Sequence, residues 1–181
     1  MSTSTEPWQK AEIPGPKRAL IITKPEVVSA MIKRAKNSLL VVGHKVAEVQ
    51  LKSGRAIDYI IQIAKGAGIP VVATAHTESE FLKRDFHVDA CLPAVDVANR
   101  LSDSKWKGLD GKGPYDLALF VGLPYYMQWV VLSGLKHFSS NLKTVSLDMH
   151  YQPQASWSFS NLSIEEWEEN LKVIVQNLGG S

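Results

Sequence analysis

The chain has 181 residues, with 20 Lys and Arg against 18 Asp and Glu, and its net charge of +2 gives no electrostatic case for nucleic acid or an anionic membrane, although the pI is 8.6. A single cysteine, Cys91, excludes an internal disulfide framework and a four-thiolate iron–sulfur site, and it fits a reducing, cytoplasmic compartment. The length suits one domain, able to bury roughly 70% of its unfolded surface without a covalent or metal staple.

Met1 to Lys10 is rich in Ser and Thr and has no apolar core of the kind a secretory signal carries. Ile13-Pro14-Gly15-Pro16 is a stiff connector that cannot enter a sheet interior. Residues 1–17 therefore read as an N-terminal arm, either docked through Trp8 or an ordinary disordered tail, and 18–181 as a single α/β domain.

A helix is predicted from Thr23, with Thr23 as cap, Pro25 in the first turn and Lys33, Arg34 and Lys36 in the last. Val27, Val28, Met31 and Ala35 are expected to share its buried face. Leu39-Leu40-Val41-Val42 then reads as a strand ending at Gly43-His44. Four apolar residues in a row leave no polar face for water, so helices must cover both sides of the sheet. The stretch from His44 to Gly54 is polar and ambiguous. Ile57, Ile60, Ile61 and Ala64 fall at helical spacing as a crossover helix that closes at Gly66 and Gly68.

Ile69-Pro70 opens a second strand that ends at Thr74-Ala75-His76, and Thr77-Glu78-Ser79-Glu80 starts a helix. A short helix is expected around Ala94 to Leu101. Lys105 to Pro114 packs three glycines and three lysines into one loop. It lacks phosphate-loop spacing and precedes a strand instead of following one, so it reads as a surface excursion. Tyr115 to Leu135 is long and apolar enough to resemble a bilayer span of about 20 residues. Asp116, Gly122 and Pro124 divide it into a strand ending at Gly122 and a helix with Met127, Val130, Val131 and Leu135 inward. A fourth strand runs from Leu142 to Asp148, followed by a polar and aromatic loop through Pro153. Ser163-Ile164-Glu165-Glu166 is a capping box opening a last helix with Ile164, Trp167, Leu171, Ile174, Val175 and Leu178 buried.

These elements predict an open doubly wound parallel sheet with helices on both faces and strands starting near Leu39, Pro70, Asp116 and Lys143. Ligands of such sheets sit at the C-terminal strand ends. The candidate residues are Gly43 and His44, Thr74 and His76, Gly122 and Tyr125, and His150 with Tyr151. Tyr125 and Tyr151 can stack on a flat ring, while Gly43 and Gly122 let a phosphate approach the backbone; the same loops can instead form a docking surface. His44 with Glu48, and His87 with Cys91, are two-ligand spacings and do not make a metal site. The chain contains no H-E-x-x-H, G-x-S-x-G or G-x-G-x-x-G, so neither a catalytic residue nor a metal is expected.

Over nearly its whole length the chain resembles the epsilon subunit of the archaeal acetyl-CoA decarbonylase/synthase complex. The likeness rests on Ile13-Pro14-Gly15-Pro16-Lys17, the strand from Leu39 to Gly43, Ile69 to His76, Trp106-Lys107-Gly108-Leu109-Asp110-Gly111-Lys112-Gly113, Tyr115-Asp116-Leu117 and Gly134-Leu135-Lys136-His137-Phe138. This resemblance implies a cytoplasmic assembly that oxidises CO or reduces CO2 and makes or cleaves acetyl-CoA in anaerobic, often methane-producing, archaea. It implies a hetero-oligomer in which the large nickel–iron carbon monoxide dehydrogenase subunit is the partner and other subunits hold the clusters. The role it implies is accessory and stabilising; the alternative is an electron-transfer subunit that binds FAD or another nucleotide. The rhythm of strands and helices is also similar to the FAD/NAD-binding-like middle domain of thiamine-diphosphate enzymes, a likeness of architecture alone.

Overall fold

In the computed structural model, which describes residues 18–74 and 77–179, the apolar runs assemble into one open sheet. The N-terminal arm and His76 lie outside the described residues. The strands are β1 (Leu20–Ile21), β2 (Ser38–Val42), β3 (Val71–Ala73), β4 (Ala90–Cys91), β5 (Leu117–Val121), β6 (Lys143–Ser146) and β7 (Trp157–Ser158). They lie in the order β1-β7-β6-β5-β2-β3-β4, every neighbouring pair parallel. The helices are α1 (Glu26–Arg34), α2 (Lys45–Glu48), α3 (Ala56–Ala67), α4 (Glu78–Leu82), α5 (Ala94–Ser102), α6 (Tyr125–Phe138) and α7 (Ile164–Leu178).

Side-chain alternation explains the two-sided burial. Leu40 and Val42 of β2 join Val28 and Ile32 of α1, the α3 isoleucines and Trp167, Leu171 and Ile174 of α7 in one core. Leu39 and Val41 point the other way, to Val97 of α5 and Val131, Leu132 and Leu135 of α6. All five residues of β2 are buried, as are all five of β5, which is how a central parallel strand dispenses with a polar face.

Four strands lie where the apolar runs place them. The three others, β1, β4 and β7, have two residues each, too few to show a period. They exist because neighbours offer backbone partners: Leu20 N donates to Ser156 O and Ile22 N to Ser158 O, both at 2.9 Å, and Leu92 N donates to Ala73 O at 3.0 Å.

Two helix faces differ from expectation. In α1 the buried residues are Val28, Ser29 and Ile32, the helix begins at Glu26 behind Pro25, and Thr23 is exposed and caps nothing. In α6 the inward residues are Gln128, Val131, Leu132 and Leu135, while Val130 is 57% exposed. This helix is apolar nearly all round, so its composition carries no amphipathic signal to orient it. The capping box of α7 is present, with Glu166 N donating to Ser163 Oγ at 3.2 Å and Ser163 N to Glu166 Oε2 at 2.8 Å; of its expected buried stripe only Ile164, 42% exposed, faces out. Among the described residues no helix is long and apolar enough to cross a membrane.

Candidate functional site

The chain leaves β2 toward β3 on one side and returns through β5 on the other, so the strand order reverses between β2 and β5. At such a reversal an open α/β sheet ordinarily leaves a crevice. Here backbone fills it. A Cβ on Gly43 would stand 2.5 Å from the carbonyl carbon of Gly122 and from Leu123 N, and one on Gly122 would stand 2.8 Å from Gly43 O and Val46 N. Gly43 N donates to Val121 O at 2.8 Å, and Lys45 N donates to Gly122 O at 2.9 Å. Gly122 also turns at φ +75°, a conformation that glycine adopts without cost. The two glycines therefore serve close approach to each other.

The remaining space at this edge is a cavity of about 150 Å³, displaced toward β6. Lys45 and Val46 of α2, the Gly122–Leu123 exit of β5, and Tyr125 and Gln128 of α6 form part of its wall. Asp148, Met149 and His150 beyond β6 complete it with Trp167 of α7. Asp148 is its chemical centre. Its Oδ1 accepts from Gly122 N at 2.7 Å, whereas Oδ2 has no solvent contact and no hydrogen-bond partner among the described residues, although the residue as a whole is partly exposed. Burial pushes this carboxyl up to about 7, against the opposing pull of the Gly122 amide, the Gln128 side chain and the Lys45 charge. Gln128 is itself anchored, its Nε2 donating to Ser146 Oγ at 3.0 Å.

The residues expected at this edge are divided among different surroundings. Gly122, Tyr125 and His150 line the cavity. Gly43 seals the neighbouring crevice. His44 lies on another groove with Glu48, Arg55 and Glu80, its Nε2 3.9 Å from Glu48 Oε1. Thr74 Oγ1 pairs with Thr77 Oγ1 at 3.4 Å. Tyr151 is 5% exposed, and its hydroxyl donates to Ala19 O at 2.8 Å, so it ties β1 into the fold. The cavity residues that escaped the expected set include Lys45, Gln128, Asp148 and Trp167. Asp148 carried a signal, as a carboxylate ending an apolar strand; Trp167 carried none, since its spacing marks it only as core.

A second surface feature comes from α6. Tyr126, Val130, Gly134 and Phe138 recur every fourth residue along its outer side, with Tyr126 69% and Phe138 77% exposed. Val95 of the adjacent α5 is 50% exposed. Large apolar residues repeated on one helix face characterise a surface that another protein covers.

Residues 1–176 match the family described as CO dehydrogenase beta subunit/acetyl-CoA synthase epsilon subunit. The chain is similar to the acetyl-CoA decarbonylase/synthase complex subunit epsilon of Methanothermobacter thermautotrophicus, with 35% identity covering 89% of this chain and 89% of that one. Similarity to the same subunit of Methanothrix soehngenii is 37% identity over 87% and 81%, and to subunit epsilon 1 of Archaeoglobus fulgidus 36% over 89% and 86%.

Proposed function

We propose that this chain, which belongs to the CO dehydrogenase beta subunit/acetyl-CoA synthase epsilon subunit family, is an accessory, stabilising subunit of the carbon monoxide dehydrogenase component of an acetyl-CoA decarbonylase/synthase complex. Its relatives are named as subunits of such a complex, and the partner in this reading is the large nickel–iron subunit. The observation that carries it is the outer face of α6. Tyr126, Val130 and Phe138 are more than half exposed on a helix whose opposite side is already buried. Exposed apolar residues grouped on one helix face mark a surface that a partner covers.

The alternative of an FAD-binding electron carrier has less support. Small-molecule pockets ordinarily measure about 300–1,000 Å³, against about 150 Å³ for the cavity at the sheet edge. Gly43 and Gly122 face each other instead of an open cradle, and the Tyr151 ring is buried. As placed, these residues do not fit a flavin.

Co-purification tests the reading. The wild-type chain is expected to bring down the large subunit and to show neither CO oxidation nor flavin absorbance when isolated. Val130→Glu is expected to fold as the wild type does and to lose the large subunit. Retention of the partner by that variant would remove α6 as the docking face. Failure of the wild-type chain to associate, or stoichiometric flavin in it, would remove the accessory reading.

A further inference from the structure

Helix α1 is tied to α7 along one side, where Ser29 Oγ donates to Ile174 O at 3.3 Å and Lys33 Nζ to Asn177 O at 2.6 Å. This orientation buries Val28, Ser29 and Ile32. It leaves Val27, Ala30, Met31 and Arg34, which share the neighbouring helix face, on the wall of a cavity of about 530 Å³. Leu117, Lys143 and Trp157, the first residues of β5, β6 and β7, close the cavity on the sheet side. The space therefore lies at the N-terminal ends of the strands, away from Gly43, Gly122 and Asp148, and its volume is that of a small-molecule site. Val27, Met31 and Trp157 are only half-buried there, so an apolar body gains free energy by covering them.

The charged residues of the wall select the ligand. Arg34 and Lys143 are exposed, and neither has a carboxylate partner among the described residues. Asp116, the carboxylate in the same wall, is spent on the chain itself: Oδ1 accepts from Asn37 N at 2.9 Å and Oδ2 from Lys36 N at 3.0 Å. The carbonyl end of α1 disfavours an anion, but Lys33 and Arg34 in its last turn offset it. A cation would meet two like charges here. We propose that this cavity binds an organic carboxylate with a compact apolar body, its carboxylate paired with the Arg34 guanidinium and the Lys143 ammonium and its body lying against Val27, Met31 and Trp157. Asn141 in the same wall carries an amide that can donate to the same head. The site belongs to this chain and rests neither on the α6 face nor on which subunit covers it.

The test is a titration of the full, isolated chain with sodium 2-naphthoate, followed by NMR through the backbone amides of Leu117 and Lys143. Sodium acetate, 2-naphthylmethanol and sodium chloride control for the head, the body and the ionic strength. A saturable shift is expected with 2-naphthoate. Affinity for acetate should be lower by about tenfold or more, since the apolar contact is missing. Affinity for the alcohol should be lower by about fivefold, the strength of exposed ion pairs. Arg34→Gln combined with Lys143→Gln should reduce 2-naphthoate to the affinity of the alcohol. Ala30→Phe, at an exposed position, should fill the space and block both ring compounds. Absence of a saturable shift, equal affinity for 2-naphthoate and the alcohol, or undiminished binding by the folded double variant or by folded Ala30→Phe would each overturn the proposal. The comparison of ligands on the wild-type chain needs no variant, so a folding defect in either variant leaves the test intact.

Discussion

The hydroxyl of Tyr59 in α3 donates to Oε1 of Glu168 in α7 at 3.1 Å. The same carboxylate accepts from Lys52 N at 2.8 Å, Ser53 N at 3.1 Å and Lys172 Nζ at 3.0 Å. Glu168 thus clamps the 49–55 segment onto two helices. Burial alone would raise this carboxyl, but Lys172, the Ser53 and Lys52 groups and Tyr59 together hold it down at about 2, below its usual 4.5. A depressed folded-state value means stability that is present above pH 4.5 and lost as pH falls toward 2. Glu168→Gln should lower the melting temperature at pH 7 and flatten its decline between pH 4.5 and 2. Thermal melts across that window check it; parallel curves for the two proteins would refute the clamp.

Asp148 has the opposite sign. Its folded value of about 7 stands above the usual 3.8, so its contribution to stability is complete below 3.8 and is lost as pH rises toward 7. Asp148→Asn should therefore stabilise the isolated chain at pH 8, by on the order of 4 kcal/mol, at about 1.4 kcal/mol for each of roughly three pKa units. It should do little at pH 4. Urea midpoints at the two pH values are the measurement, and equal shifts at both would contradict the buried carboxyl.

Gly43→Ala should be severely destabilising. The new methyl would lie 2.5 Å from backbone atoms of Gly122 and Leu123, which are stitched to β2 and α2 and cannot move independently. A loss of about 3 kcal/mol or more is expected from overpacking against backbone. An unchanged urea midpoint would show that the crevice between β2 and β5 is open in solution.

The two sides of α6 should respond differently to truncation. Leu132, fully buried, should cost about 2–5 kcal/mol when replaced by alanine. Phe138→Ser, at a position 77% exposed, should stay within about 0.5 kcal/mol in the isolated chain, as surface substitutions do. In the assembled complex Phe138→Ser should weaken association. Denaturation of the free chain and pull-down of the large subunit separate the two effects; a Phe138 variant that destabilises the free chain as much as Leu132→Ala would mean that this face is already covered.

Much of this protein was determined by local pattern. Leu39 to Val42 and Leu117 to Val121 have no polar face, so a parallel sheet with helices on both sides follows from hydrophobic burial alone, whatever the partners. Ser163 and Glu166 define the start of α7 through bonds spanning three residues, and bonds so local are written in sequence. Tertiary structure decided the rest. The two-residue strands β1, β4 and β7 arise from backbone partners supplied by other segments, and α6 took its rotation from the sheet because both of its sides are apolar. The site was decided in the same way. Gly43 and Gly122 are 79 residues apart, and only the adjacency of β2 and β5 turns two glycines suited to an open cradle into a closed contact. That closure moves the remaining space to Asp148, whose burial depends on Trp167, Gln128 and Lys45 arriving from three helices. Desolvation of a carboxyl is a property of everything around it, and so no stretch of sequence near residue 148 could contain it.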